Sequence, residues 1–298
     1  MTLRLTLLCL CLAGIGVAQE AGGFVAGAVP GEYRFDTGVL RGVIREGGIS
    51  IGLVPAIHTP TGTELAKTPG LLNFYRVFTT NKRFGDSMRV VESETTLTGS
   101  NTLCVRWPSA PERPFALTAT YHWCAPDSLD LVTEITAAEA LPDLEVFLSS
   151  YFTEAFPLPL VYARDEAGRA AFAPAPESAG IWHMFPRDDV SVTMIQDGRW
   201  AIPPNPVAWV IRPRLAAPVC LRRSTSGLTC AIFARPEDCF AIATPHAGEG
   251  HYSLYQCLFG RTLQAGEKAE ARVRLVVGPL SDEAVLRRYE EFLNQSGG

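Results

Sequence analysis

Strict alternation of apolar and polar residues, broken by short Gly- and Pro-rich turns, constrains this 298-residue chain more than any other feature. A side-chain period of two belongs to a half-buried strand, because successive side chains point to opposite faces of the pleat. Phe115, Leu117, Ala119, Tyr121 and Trp123 share one face, against Thr118, Thr120 and His122 on the other. The segment before them, Thr102–Trp107, reads as a strand, and Pro108–Pro114 as the turn between. Leu129, Leu131, Thr133 and Ile135 continue the pattern, and Leu144–Phe152 follows a turn at Pro142 and Asp143. Strands joined this closely describe an antiparallel meander, since a parallel crossover needs a dozen or more residues.

The pattern resumes in the second half at 190–196, 208–212, 218–222, 228–234, 240–244, 252–259 and 269–277. Between them, residues 157–187 carry prolines at 157, 159, 174, 176 and 186, and read as long loops with short strands. One helix is expected, over 281–295. Ser281 caps it, Asp282 and Glu283 suit its positive end, and Val285, Leu286, Tyr289, Phe292 and Leu293 form one apolar stripe. The reading is an all-β protein, a large antiparallel β-sandwich with one C-terminal helix. No shift in composition divides residues 19–298, which are expected to form a single domain.

The N-terminus bears on location. Arg4, the apolar run Leu5–Leu12 and the small residues Ala13–Ala18 form a basic region, a hydrophobic region and a cleavage site before Gln19. Residues 1–18 therefore read as a signal peptide, and the protein as exported to the periplasm or medium. The run is too short to span a bilayer, so no membrane association is expected after cleavage. Without Arg4 the charge is 25 minus 31, or −6. No basic run marks a nucleic-acid partner. Eight cysteines fall to six: Cys104, Cys124, Cys220, Cys230, Cys239 and Cys257. Three bridges are allowed, with fifteen connectivities. Cys220 and Cys230 flank the turn 224–227 and are candidates to bridge a hairpin. Several others sit within apolar strand patterns, where a thiol acts as a small hydrophobe. No C-x-x-C pair suggests a metal, and no cofactor motif is present: G-x-S-x-G, the P-loop and strand-linked G-x-G-x-x-G are absent.

Four clusters are candidates for chemistry. Arg76 lies in phase with Leu72, Phe74 and Phe78, so it is expected on their apolar face. A guanidinium there needs a carboxylate, or it lines a polar ligand site. The loop after it holds Asn81, Lys82, Arg83 and Asp86 beside Phe84, a set suited to sugar hydroxyls or a uronate carboxylate, and equally to a solvated turn. Trp182 and His183, then Asp197 and Trp200, combine flat rings with polar neighbours in the manner of a carbohydrate platform, or else are core anchors. The segment 244–252 places His246, Glu249 and His251 within six residues among glycines. A His with a nearby Glu suits proton transfer near neutral pH. A two-His-one-carboxylate metal site and a plain hairpin loop are the rival readings.

The C-terminal run resembles the closing hairpin of galactose-mutarotase-like β-supersandwich domains: a strand into Phe259-Gly260-Arg261, the turn Leu263–Glu267, then Val273–Val277. An early Asn beside an Arg is a further likeness, here Asn81 with Arg83 or Arg76. The blocks at 73–86 and 243–261 are similar to those of a family of exported bacterial proteins. The resemblance implies a sugar held over a concave sheet by Arg76, Lys82, Arg83, Asp86, Trp182, Asp197, Trp200 and His246. It also implies a His and Glu proton-transfer pair, with His251 or His183 in the first role and Glu249 in the second. The expected function is binding or processing of carbohydrate by an exported protein, as an epimerase, polysaccharide lyase or glycoside hydrolase if catalytic. The alternative is a non-catalytic structural or interaction domain of the cell envelope.

Overall fold

The computed structural model describes residues 22–295 except Asn81, so the signal reading at 1–18 and the Asn81 likeness lie outside the described residues. Three sheets are present. The first is an antiparallel meander of β1 (Phe24–Ala26), β2 (Glu32–Asp36), β3 (Leu40–Arg45), β4 (Ala56–His58) and β5 (Thr63–Glu64). The chain then runs through β6 (Asn73–Thr79), β7 (Lys82–Arg83), β8 (Glu94–Gly99), β9 (Thr102–Trp107), β10 (Phe115–Ala125), β11 (Ser128–Ala137) and β12 (Leu141–Tyr151). Next come β13 (Leu158–Arg164), β14 (Ala170–Pro174), β15 (Trp182–Pro186) and helix α1 (Asp189–Ile195). The rest is β16 (Val210–Ile211), β17 (Leu215–Arg223), β18 (Thr229–Ala234), β19 (Cys239–Pro245), β20 (Ser253–Leu263), β21 (Lys268–Gly278) and helix α2 (Asp282–Asn294).

The second sheet has nine strands in the order β14-β13-β17-β18-β21-β11-β10-β9-β8, and the third has seven, β16-β15-β19-β20-β12-β6-β7. All pairings are antiparallel except β15 with β16. The inner faces of the two large sheets share one core. Leu117, Tyr121 and Trp123 of β10 meet Val146 and Leu148 of β12 and Leu254 and Leu258 of β20 within it. This is the antiparallel sandwich read from the alternation, and the β10–β11 register sets Leu117 opposite Ile135 and Trp123 opposite Leu129, as the period requires.

Helix α2 forms where the capping signal placed it. The Ser281 Oγ accepts from the Ala284 amide at 3.3 Å. Its buried Val285, Tyr289 and Phe292 cover Val219, Leu221, Phe233 and Val276 on the outer face of the nine-stranded sheet. Residues 190–196, expected as a strand, are instead α1. Asp188 is its N-cap and accepts from the Ser191 amide at 2.8 Å and the Ser191 hydroxyl at 2.7 Å. The cap satisfies orphan helix donors, and burial of Met194 and Ile195 outweighs the β-preference of the two valines and Thr193. Among the described residues no helix is long and apolar enough to cross a membrane.

The six described cysteines are free. Cys220 and Cys230 lie on paired strands, but the register sets Cys220 opposite Ile232 and Cys230 opposite Arg222. The expected bridge is therefore absent: the two are offset by one pleat, and each thiol is buried as a small apolar group.

Candidate active site

The outer face of the seven-stranded sheet carries its own apolar cluster, separate from the main core: Phe78, Phe147, Met184, Phe240 and Tyr255 from the strands, covered by Met194 and Ile195 of α1 and by Trp200. A cleft of about 360 Å³ opens between this face and the segment 200–209. That is at the small end of the range for small-molecule sites, about 300–1,000 Å³. Tyr75, Arg76, Phe147, Tyr151 and Tyr255 line it from the sheet, Trp200, Asn205 and Trp209 from the covering segment, and Trp182 and His251 at its rim.

Arg76 reaches the cleft through a defect in the strand. Opposite β12, Arg76 pairs with Phe147 and Phe74 with the next residue, Leu148, so Tyr75 is an extra residue on β6. Such a bulge reverses the facing of the residues beyond it. Leu72 and Phe74 stay in the main core, whereas Arg76 and Phe78 turn to the outer face. The expectation that Arg76 shares a face with Leu72 and Phe74 is thus corrected, and Tyr75 beside it also lines the cleft. The Arg76 guanidinium lies 4.7 Å from the Tyr75 ring centre and 5.2 Å from that of Trp200. Nη2 donates to the Asn205 carbonyl at 2.9 Å and to the Tyr75 hydroxyl at 3.3 Å. Arg76 is 3% exposed, and Nε and Nη1 have no partner. Among the described residues no carboxylate meets it, so the ion-pair reading is not the one the structure shows.

The aromatic wall is tightly coupled. Trp200 is 4.7 Å from Phe147, 4.8 Å from Phe78 and 5.1 Å from Trp209, while Phe147 stacks on Tyr255 at 4.7 Å. Trp200 follows Gly198, whose φ of 97° lies in the left-handed region glycine tolerates best. Arg199 anchors the turn from beneath. It donates to Asp197 from Nη2 at 2.8 Å, to Glu145 at 3.2 Å and to the Asp143 carbonyl at 2.9 Å. Burial alone would lower its pKa; the Asp197 hydrogen bonds and the Glu145 charge outweigh that and raise it. Asp197 is therefore spent on Arg199 and does not line the cleft, which corrects its assignment to substrate.

At the rim, His251 and Glu249 form a dyad. Glu249 accepts from the His251 amide at 2.9 Å and lies 2.6 Å from Nδ1. His251 packs edge-on to Trp182 at 5.3 Å and is half exposed, while Glu249 is mostly covered. A carboxylate at Nδ1 holds the proton there in the neutral ring and leaves Nε2 as the lone-pair nitrogen. The phenols nearby differ among themselves. Burial raises Tyr151 and Tyr255. At Tyr75 burial also raises, but the Arg76 hydrogen bond and the charges of Arg76 and Arg83 outweigh it and lower the pKa.

Several expected residues lie elsewhere. His183 follows Trp182 on β15, so the alternation turns it to the opposite face, where it is buried and donates from Nε2 to the Gly180 carbonyl at 2.9 Å. Burial lowers its pKa. His246 caps the turn 247–249, its Nδ1 accepting from the Gly248 amide at 3.1 Å. With His246 so turned, among the described residues no group of three His, Cys, Asp or Glu side chains is placed to hold a metal. Lys82 is exposed, over the Phe84 ring at 4.7 Å. Arg83 binds the Pro204, Gly85 and Asp86 carbonyls and so ties β7 to the covering segment. Asp86 itself is exposed and does not line the cleft. Of the expected set, Arg76, Trp182, Trp200 and His251 converge, with Glu249 behind His251. Sequence reading missed Tyr75, Phe147, Tyr151, Asn205, Trp209 and Tyr255. For Tyr255 a signal exists, since it stands four residues after His251 and a period of two sets the pair on one face.

The fold is an all-β sandwich with a cleft on an outer sheet face, and similar folds are known. A provisional aldose 1-epimerase from Escherichia coli K12 is 12% identical with a TM-score of 0.49, over 84% of this chain and 99% of that one. The galactose 1-epimerase from Lactobacillus acidophilus NCFM is 13% identical with a TM-score of 0.46, over 86% and 98%. An alpha-N-acetylgalactosaminidase from Bifidobacterium bifidum is 13% identical with a TM-score of 0.49, over 91% of this chain and 38% of that one. These are distant likenesses of fold and say nothing of the site. No protein-family model matches the chain, and no curated protein matches it.

Proposed function

We propose that the chain binds a saccharide in this cleft and that His251, oriented by Glu249, moves a proton on the bound sugar. The observation that carries the reading is the dyad's position at the rim of an aromatic-lined cleft. Trp182, Trp200 and Trp209 offer ring faces and edges for sugar C–H groups, while Arg76, Asn205 and the phenols fix hydroxyls. In the tautomer that Glu249 favours, Nε2 accepts a proton from the sugar. The imidazolium then gives the proton to the sugar oxygen whose C–O bond breaks, the ring oxygen in an anomeric epimerisation or the leaving oxygen in an elimination. The N-terminal signal pattern supports the further proposal that the protein is exported, which an N-terminus at Gln19 in the mature product would bear out.

The cleft tryptophans make binding measurable by intrinsic fluorescence, with turnover followed by proton NMR over a panel of mono- and oligosaccharides. Trp182→Ala should weaken binding about tenfold or more, on the scale of about 1–3 kcal/mol for a lost ring contact. His251→Ala should keep affinity and lose about 10²- to 10⁴-fold in rate. Equal turnover by His251→Ala removes this residue from the chemistry, and a panel with no binder removes the saccharide reading.

A further inference from the structure

The cleft has a charge asymmetry that a neutral sugar does not use. Three guanidinium groups gather about Tyr75: Arg76 at 4.7 Å and Arg89 at 5.6 Å from its ring centre, and Arg83, whose charge acts on the same phenol. Among the described residues none of the three forms an ion pair. Of the other buried arginines, Arg199 and Arg274 each meet a carboxylate, Arg222 spends its nitrogens on backbone carbonyls and Thr244, and Arg113 keeps only Nε without a partner, whereas Arg76 keeps two. The carboxylate of Asp86, which acts on Arg83, is exposed. Glu249, across the cleft, is occupied by His251.

Arg76 concentrates the argument. It is 97% buried, is held by two rings and by the Asn205 carbonyl, and keeps two nitrogens without partners at the cleft wall. A buried charged donor left unmet costs more than a neutral one. With Nη2 already donating, Nε and Nη1 are each left to give a single charge-assisted hydrogen bond, for which a carboxylate or a sulfate ester is the matching acceptor. The burial also keeps water from screening the charge.

We infer that the saccharide bound in this cleft carries an anionic substituent, seated at Arg76 with Arg83 and Arg89 supplying the surrounding positive field. This rests on the saccharide reading and narrows it to acidic sugars. The geometry then gives the ligand a direction, its anion at the Arg76 end and its reacting carbon toward His251 at the rim.

The test compares matched pairs by tryptophan fluorescence and calorimetry. Galacturonate and hyaluronan oligosaccharides are each set beside their carboxyl-reduced forms, and a sulfated galactan oligosaccharide beside its desulfated form. In at least one pair the acidic member should bind tenfold or more tighter, with the advantage shrinking as salt rises. The carboxylate and sulfate arms tell the two anions apart. Arg76→Gln should abolish the advantage, costing the acidic member tenfold or more beyond whatever its neutral partner loses. Should Arg76→Gln not fold, Arg89→Gln, at a half-exposed site, should reduce the advantage severalfold. Equal affinity within every pair, or loss of acidic and neutral ligands alike in Arg89→Gln and Arg76→Gln, overturns the anion site but leaves saccharide binding intact. Failure of every acidic and neutral ligand to bind overturns both.

Discussion

At the scale of single residues, the site depends on where charges are satisfied. Arg199, Glu145 and Asp197 form a buried ionic group beneath the aromatic wall, with Arg199 and Glu145 fully inaccessible. Removing one member of a buried pair leaves the other charge uncompensated, at a cost of about 3–5 kcal/mol. Arg199→Met should lower the denaturation midpoint by that amount and loosen Trp200, so near-ultraviolet dichroism should change before the backbone melts. Asp197→Asn, which keeps the hydrogen-bonding shape and lies partly exposed, should cost less. Asp197 and Trp200 looked alike as ligand candidates in the sequence. The structure divides them, because Arg199 between them points inward and claims the carboxylate, while the following indole packs against Phe147 and Phe78. Period-two reasoning applied to Trp182 and His183 would have separated that pair also, since neighbours on a strand cannot share a face.

At the scale of elements, local signals worked where one residue's chemistry decides the backbone. Ser281 with the apolar stripe after it fixed α2 to within a residue. Ser281→Ala should cost about 1 kcal/mol of stability, readable by urea denaturation, since one orphan helix donor loses its acceptor. The same kind of signal at Asp188 was hidden by the β-branched residues after it, and α1 read as a strand. The bulge at Tyr75 left no mark in the sequence. Nothing in the alternation of β6 tells that one residue is extra, because the count is made against β12, which lies about seventy residues away. Yet that single extra residue moves Arg76 from the core face to the cleft.

At the scale of the whole molecule, the sandwich buries titratable groups whose response to pH is global. Burial lowers the pKa of both His58 and His183 below the ordinary 6.5. Above pH 6.5 both are neutral in the folded and unfolded states, so they contribute nothing to the slope. As pH falls below 6.5 the unfolded chain takes up protons first, and stability is lost until the pH passes the folded values. Asp188, held down to about 2 by the Arg187 and Ser191 hydrogen bonds against its burial, adds a second loss between its ordinary 3.8 and about 2. The two histidines should therefore pull denaturant midpoints down from pH 7 to pH 5, against the opposite pull of Glu145 and Asp238, whose pKa values burial raises, and Asp188 should pull them down again below pH 4. His183→Gln should lose less than the wild type over the first step if it folds, and an identical slope in the two proteins would contradict the assignment.

The sequence alone determined most strands of the two large sheets, their antiparallel sense and the closing helix, because alternation, turns and caps are decided by neighbours a few residues apart. It also brought forward Arg76, Trp182, Trp200, Glu249 and His251. What only the tertiary structure decided is which of the marked polar groups are free to meet a ligand. That depends on partners far along the chain: Glu145 for Arg199, Gly180 for His183, Pro204 for Arg83, and no carboxylate for Arg76. A side chain's type sets what it can bind, and only the packed sheets settle whether the protein has already bound it.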